Sequence, residues 1–449
     1  MTSMRSLFHL VLFSLSIVGL APAQAALVMT VTVVDSKHVA TAGANGRKDW
    51  RKEMEVVLAE TFISAKSLDE TMVYDFGRRR RLVLDARTKT FDDYSLFDAV
   101  GFRELELRNR ENIEKVLAAA KVDASKMPGQ VEHEHGLSVQ HGAGSIIVER
   151  NENGDKVFAA AGATLLRRSD DARPVSAAEA ERFVKFLRYT FGGHPAILRA
   201  LQKEQRIPAR ITYTFRHAWG SNTVEVGVSA IRTADAPARF SLEGYAQRSA
   251  ASGGDALDAL VDRAWKDPAA IASGNTSASA KDIEAAFRDG RPFDAFLALL
   301  EFQLSGGGQL PSFTDEQKRQ LHDDPSVRQL SQALPAKDKD SLQKAIIVLQ
   351  SLQARPTSKR HMLKLFEAND RVGLGEVPAA RKLFVEVLQA NPALVGAYKD
   401  VGDLYLRTFD TPRAWRCWDI GRRMAPQFST LLTVTQYEQS LVTQFPEYF

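Results

Sequence analysis

Two stretches near the end of this 449-residue chain carry the same residue types 34 positions apart. Each has a proline, an alanine, an aromatic residue and a second proline, first as Pro378, Ala380, Phe384 and Pro392 and again as Pro412, Ala414, Trp418 and Pro426. A period of this length is typical of chains that stack units of two helices, because one unit cannot bury its apolar face alone. The last part of the chain is therefore predicted to be a series of helical hairpins.

The sizes of these residues indicate how the two helices of a unit pack. Gly402 and Ala414 are small, so the helices that carry them can approach closely, and Tyr405 and Trp418 fill the space beside them. The prolines suit a first helical turn, where no N–H is needed, or the end of a helix. We expect the repeat-packing residues to be buried at helix crossings, and these are Ala380, Phe384, Gly402, Tyr405, Ala414 and Trp418.

In these positions the two stretches resemble the tetratricopeptide repeat. The second copy is the fuller match, because its first-helix positions hold the residue types of the motif, namely Tyr398, Val401, Gly402 and Tyr405. The first copy departs from the motif at Lys364 and Arg371, where large apolar or aromatic residues are usual. The resemblance covers two units, and the segment 429–443 is expected to form a capping helix.

The resemblance implies a function as well as a fold. The first helices of such units line a concave groove that takes up a protein or peptide partner. Carrying the groove positions over residue by residue gives a partner-binding groove of Asn369, Lys399, Asp403 and Arg407. The alternative for each of these residues is a charged helix face that contacts only solvent.

The sequence from residue 255 onward is helical by its apolar periodicity. The predicted helices are 256–266, 281–288, 292–304 and 339–354, with loop-like interruptions at 305–308 and 310–325. We therefore divide this half of the chain into a helical region with flexible loops, residues 251–338, and tetratricopeptide-like helical repeats, residues 339–449.

The first half, residues 26–250, alternates short apolar and polar runs with turn residues between them. The predicted strands are 27–34, 72–76, 81–85, 90–94, 145–150, 156–166, 210–217 and 222–231, and the predicted helices are 109–120 and 176–189. Periodicity does not decide between helix and strand over 51–65. The expected fold class is an α+β domain with a curved antiparallel sheet, followed by the all-α region.

The strand–turn–strand segment from Val73 to Phe91 resembles the periplasmic lipoprotein-carrier-like half-barrels. Leu82 and Leu84 would point to one face of the sheet, and Arg81, Val83 and Asp85 to the other. The resemblance implies a curved sheet whose apolar concave face holds a lipid ligand. The alternative is a concave face filled by the protein's own side chains, which is common in small barrels.

The first 25 residues have the features of a secretory signal peptide. Arg5 precedes an apolar run over 7–20, and small residues stand at Ala23 and Ala25. A periplasmic or secreted protein is therefore expected, with an uncleaved anchor as the alternative. Cys417 is the sole cysteine, so no intrachain disulfide can form. The net charge of +4, from 59 basic and 55 acidic residues, gives no reason to expect nucleic acid as a partner.

Three histidines form the one cluster with metal-ligand chemistry. His133 and His135 would share a face of a strand, and His141 could complete a zinc site, with Glu134 as a possible base in a hydrolase. The alternative is a solvated loop, because glycines flank the segment. No phosphate-binding loop, dinucleotide fingerprint or nucleophile elbow occurs. The leading prediction is thus an exported, non-enzymatic scaffold that needs no cofactor; a metal-dependent hydrolase and a lipophilic-ligand carrier are the alternatives.

Overall fold

The computed structural model describes residues 24–39, 49–108, 147–160, 163–217, 220–248, 255–274, 277–306, 308 and 311–449. Within these residues a large β-sheet is followed by a long run of helices, so the predicted fold class is confirmed. The histidine cluster, the predicted helix 109–120 and residues 1–23 of the predicted signal peptide lie outside the described residues.

The strands all lie in the first half of the chain. In chain order, β1 to β14 are Gln24–Val39, Asp49–Leu58, Phe62–Ser67, Glu70–Asp75, Arg80–Asp85, Thr90–Ser95, Val148–Glu152, Asp155–Ala160, Ala163–Arg168, Ala172–Pro174, Arg206–Pro208, Arg210–His217, Gly220–Ala236 and Ala246–Gln247. One 12-stranded sheet has the order β14-β6-β5-β4-β3-β2-β1-β13-β12-β9-β8-β7, and β10 pairs with β11. Its edge strands β14 and β7 lie at opposite ends, so the sheet is not a closed barrel in the described part of the chain.

Neighbouring strands of the sheet are antiparallel except for the short parallel pair β14 and β6. The two longest strands, β1 and β13, pair from Gln24 opposite Ala236 to Val39 opposite Gly220, with one irregularity between Val28 and Thr30. They form the centre of the sheet, and the remaining strands extend it on both sides.

The helices follow the capping and periodicity rules that also predict them. In chain order, α1 to α15 are Phe97–Arg108, Ala177–Thr190, Pro195–Lys203, Ala256–Lys266, Pro268–Ser273, Ala280–Arg288, Pro292–Leu304, Asp315–Asp323, Pro325–Ala333, Lys339–Gln353, Arg360–Leu374, Val377–Ala390, Val395–Arg407, Thr411–Met424 and Leu432–Gln444. Helix α2 begins with a capping box, in which Ser176 and Glu179 each satisfy the other's backbone N–H.

Two of the predicted segments are wrong in detail. The segment 156–166 contains parts of two antiparallel strands, β8 and β9, because the run Ala-Ala-Gly-Ala over 160–163 contains no polar turn residue to mark a break. The predicted loop 310–325 contains helix α8, which Thr314 and Gln317 cap. None of the residues of α8 is buried, so the sequence there lacks the apolar stripe that would have indicated a helix.

Helices cover one face of the sheet, and the other face is packed only locally, near Phe240. On the concave side, helices α2 and α3 pack through residues such as Phe183, Phe186 and Leu198 against the inward-facing residues of the central strands. On the other side, Leu82 and Leu84 pack near Phe240. The predicted alternation along β5 therefore matches the structure, with Arg81 on the concave side.

The helical region packs directly on the sheet domain. Arg80 of β5 donates to Asp419 of α14 at 2.7 Å, although the two residues are 339 positions apart. Helix α1 lies against α14, where Gly101 leaves room for the ring of Trp415. The segment after α15 lies on α2, since Lys185, Arg188 and Tyr189 donate to the carbonyls of the last three residues, Phe449, Glu447 and Tyr448 respectively.

Candidate functional site

Helices α11 to α14 form two successive hairpins. Ala380, Phe384 and Ala414 are fully buried, and Tyr405 and Trp418 are 2% exposed. Gly402 lies under the indole of Trp418, because a Cβ atom at this position would be 2.3 Å from Trp418 Nε1. The six repeat-packing residues therefore lie inside the helical region.

The four predicted groove residues lie on the first helix of each hairpin. Asn369 is on α11, and the other three, Lys399, Asp403 and Arg407, are on α13. Lys399 forms an ion pair with Asp403, whose carboxylate also accepts from Trp418 Nε1 at 3.2 Å. Arg407 is exposed at the end of α13. Lys399 and Asp403 are thus paired with each other, whereas no hydrogen bond or ion pair of either with Asn369 or Arg407 is observed among the described residues.

Asp400 connects the two hairpins, and sequence reasoning missed it. Asn369 donates from Nδ2 to Asp400 Oδ2 at 2.7 Å, which holds α11 and α13 side by side. Burial raises the pKa of Asp400 to about 6, the hydrogen bond from Asn369 opposes this shift, and nearby Asp403 adds to it. Burial and the charge of Glu367 likewise raise the pKa of Asp370 to about 6. Asp370 directly follows Asn369 in the sequence, and Asp400 directly follows Lys399. This adjacency to two predicted groove residues is the signal that could have indicated them.

A second candidate site is a cavity of about 510 Å³ on the concave side of the sheet. Inward-facing residues of neighbouring strands form its apolar floor, including Val33, Met54, Met72 and Val224. The end of α2 forms a wall, where Tyr189 stacks on Tyr74 with the ring centroids 4.7 Å apart. The helices of the domain therefore fill the concave face only in part.

Polar groups surround one end of this apolar cavity. Trp50 is 54% exposed, and Lys52 lies 3.5 Å from Glu70. Arg81 also lines the cavity, and it donates to Asp98 at 2.8 Å. Burial raises the pKa of Asp98, and the guanidinium of Arg81 opposes that shift. An apolar floor with a cation at its edge fits a ligand that has an apolar tail and a polar end.

The described residues offer no group of three or more His, Cys, Asp and Glu side chains that could hold a metal ion. The zinc site of His133, His135 and His141 falls on residues that the structure does not describe, so it stays a prediction. Among the described residues, no helix combines the length and the apolar character that a membrane crossing requires.

The chain was compared with known protein families and with curated proteins. No family model matches it, and no curated protein is significantly similar to it. Each function proposed below therefore depends on the sequence and the geometry of this chain.

Proposed function

We propose that this protein is an exported, non-enzymatic binding protein whose tetratricopeptide-like hairpins dock a protein or peptide partner. The observation that carries the proposal is the hydrogen bond from Asn369 to Asp400, because it aligns α11 and α13 side by side. The charged side chains of Lys399, Asp403 and Arg407 lie on the second of these helices, next to the first. We call these five residues the docking face.

The electrostatics of the docking face favour a basic partner. The carboxyl groups of Asp400, on the docking face, and of Asp370, which follows Asn369 on α11, both have a pKa of about 6, because burial penalises their charged forms. Lys399 already lowers the pKa of Asp400 in part, whereas a Lys or Arg side chain from a partner would supply an opposite charge to Asp370. We therefore propose a peptide segment that carries at least one basic residue next to the docking face.

Point variants test this proposal better than truncation, because the end of the chain packs on the sheet domain. Envelope extract is passed over the immobilised full chain, and bound proteins are quantified by mass spectrometry. Asn369→Ala and Asp403→Ala should each reduce recovery of a specific partner several-fold, whereas Lys382→Ala, an exposed residue of α12, should not. Equal recovery with all three variants would contradict the proposal.

Export is a separate part of the proposal and has its own test. Residues 1–25 carry the signal-like pattern of a basic start, an apolar run and small residues. Fractionation of cells that express the full chain should place it outside the cytoplasm. N-terminal sequencing of that fraction should start near residue 26, and a cytoplasmic, uncleaved chain would exclude export.

A second candidate function is the carriage of a lipophilic ligand, and the apolar cavity of the sheet domain favours it. The cavity of about 510 Å³ is within the range of roughly 300–1,000 Å³ that small-molecule pockets occupy. Displacement of a fluorescent fatty acid measures the binding. Ala65→Leu, which adds bulk to the cavity, should abolish binding, whereas Val148→Leu on the exposed edge strand should not. A chain that binds no fatty acid excludes this candidate.

A further inference from the structure

The two main hydrophobic cores of the molecule meet at two aromatic residues, Tyr189 and Phe449. One core lies between the sheet and helices α2 and α3, and the other lies between α1 and the helices of the C-terminal region. Tyr189 and Phe449 are partly buried, and each packs against both of these cores. Both side chains therefore lie where a change in one core can reach the other.

Tyr189 connects the apolar cavity of the sheet domain to residues 446–449, which we call the end segment. The ring of Tyr189 is part of the cavity wall, where it stacks on Tyr74. Its hydroxyl group donates to the carbonyl oxygen of Tyr448 at 2.7 Å, and the rings of Tyr189 and Tyr448 lie edge-on. Two further side chains of α2 donate to carbonyl oxygens of the same segment. The position of Tyr189 in the wall thus depends on the contact of the end segment with α2.

A row of aromatic rings leads from the end segment to the docking face. The ring of Phe449 lies 4.9 Å from that of Phe97, and Phe97 is stacked on Trp415 with the ring centroids 6.4 Å apart. Trp415 lies edge-on to Trp418 at 5.1 Å, and Trp418 Nε1 donates to Asp403 Oδ1 on the docking face at 3.2 Å. These separations are typical of interacting aromatic pairs, so the row is continuous.

We propose that an apolar ligand in the cavity of the sheet domain strengthens the binding of a partner at the docking face. This regulation requires both the ligand carriage and the partner docking proposed above. A ligand in the cavity contacts the ring of Tyr189 only while this ring lies in the wall, so it favours the arrangement in which the end segment contacts α2. In that arrangement Phe449 supports Phe97, and the two indoles hold Asp403 in place. The coupling is reciprocal, so a bound partner strengthens ligand binding by the same factor.

Hydrogen exchange of the full chain with and without palmitate tests this regulation. Displacement of a fluorescent fatty acid by palmitate first establishes that the cavity is occupied. Exchange in the end segment, α13 and α14 should then become about fivefold slower, and recovery of the partner from envelope extract should rise about fivefold. Exchange in α6 should not change, because its buried residues belong to a separate hydrophobic cluster.

Two variants interrupt the row of rings outside the cavity wall. Phe97→Leu and Phe449→Leu should each keep the affinity for palmitate within about twofold but lose the effect of palmitate on α13 and α14. Phe287→Leu on α6 is the matched control, because Phe97 and Phe287 are both 4% exposed and Phe287 belongs to the separate cluster. The control variant should keep the effect. Melting temperatures establish that each variant is folded.

The outcomes separate this regulation from the two functions that it requires. Absence of displacement by palmitate would exclude ligand carriage and the regulation together, and absence of any recovered partner would exclude docking and the regulation together. Palmitate binding with unchanged exchange in α13 and α14, or with unchanged recovery of the partner, would exclude the regulation alone. An effect of palmitate that persists in both folded variants, Phe97→Leu and Phe449→Leu, would also overturn it.

Discussion

Glu301 is the residue on which several helices of the C-terminal region converge. It lies on α7, is 1% exposed, and accepts from His361 at 2.7 Å and from Asn391 at 2.7 Å, while Lys359 forms an ion pair with it. Burial alone would raise the pKa of Glu301. The hydrogen bonds from His361 and Lys359 outweigh that effect and lower the pKa to about 2.

Loss of this carboxylate should destabilise the helical region strongly. Glu301→Gln leaves the buried partners of the charge uncompensated, so we expect a decrease of about 3–5 kcal/mol in the free energy of unfolding. The folded pKa lies below the usual value of 4.5, so acid favours the unfolded chain. The Glu301 carboxylate therefore makes its full contribution to the free energy of unfolding above about pH 4.5, and this contribution is lost as the pH falls toward 2.

Urea unfolding at several pH values measures this difference. The difference in free energy of unfolding between the wild type and Glu301→Gln should decrease as the pH falls from 5 toward 2. Glu284→Gln, at an exposed position on α6, is the matched control. A constant gap across this range would show that the charge of Glu301 is not what stabilises the fold.

Asp400 should have the opposite dependence on pH. Its folded pKa of about 6 lies above the usual value of 3.8, so its ionisation opposes folding as the pH rises through this interval. Asp400→Asn keeps an acceptor for Asn369 and removes the charge. The variant should melt at a higher temperature than the wild type at pH 7 and at the same temperature near pH 4. A variant that is less stable than the wild type at pH 7 would contradict the assigned burial.

At the scale of elements, the close crossing of α13 and α14 depends on the absence of a side chain at Gly402. A Cβ atom there would be 2.5 Å from Trp418 Cδ1, so the indole would have to move. We expect Gly402→Ala to lower the free energy of unfolding by about 1–2 kcal/mol, the cost of overpacking less the gain in helix propensity. Thermal unfolding measures the change.

The control for this variant is Gly77→Ala in the turn after β4. The nearest atom to a Cβ at Gly77 is 3.5 Å away, which is an ordinary contact. Gly77→Ala should therefore change the stability little. An equal change in stability for Gly402→Ala and Gly77→Ala would contradict the close crossing of α13 and α14.

The elements that the sequence predicted best are those with strong end signals and an apolar stripe. Helix α4 runs from Ala256 to Lys266 as predicted, because Asp255 caps its start, and α7 begins at Pro292 as predicted. Helix α8 was missed because its one apolar residue, Leu321, does not make an apolar stripe. Helices are thus predictable from local patterns, whereas the contacts between them are not.

Local sequence patterns are also insufficient to predict the docking face and the cavities. The repeat pattern indicated Asn369 and Lys399, but only the packing of α11 against α13 brings Asp400 to Asn369. Gln247 of β14 and Arg416 of α14 line one polar cavity between the sheet and the helices, although no local period connects them. Such long-range contacts arise from tertiary packing, so no sequence pattern reports them.

At the scale of the whole molecule, the end of the chain joins the helical region to the sheet domain. The ring of Phe449 lies 4.9 Å from that of Phe97, and Tyr448 lies edge-on to Tyr189, with the ring centroids 5.6 Å apart. Tyr189 also lines the apolar cavity of the sheet domain. The two regions are therefore expected to lose stability together when this segment is altered.

Tyr448→Ala tests this connection between the regions. Because Tyr448 is only 7% exposed, removal of its ring should lower the free energy of unfolding by about 3 kcal/mol. Hydrogen exchange should become faster in both α2 and α15. Leu432→Ala, at a 55% exposed position of α15, should do neither. Faster exchange confined to α15 would mean that the sheet domain does not depend on this contact.

If the docking face has the proposed role, the first helices of the two hairpins bind a partner. The most direct measurement of this binding is site-specific photo-crosslinking in envelope extract, with a photoreactive amino acid placed at Arg407 on the docking face or at Lys382 on α12. We expect one dominant crosslinked partner from position 407, with basic residues near the crosslink, and none from position 382. The same crosslinks from both positions, or none from position 407, would contradict the proposed role.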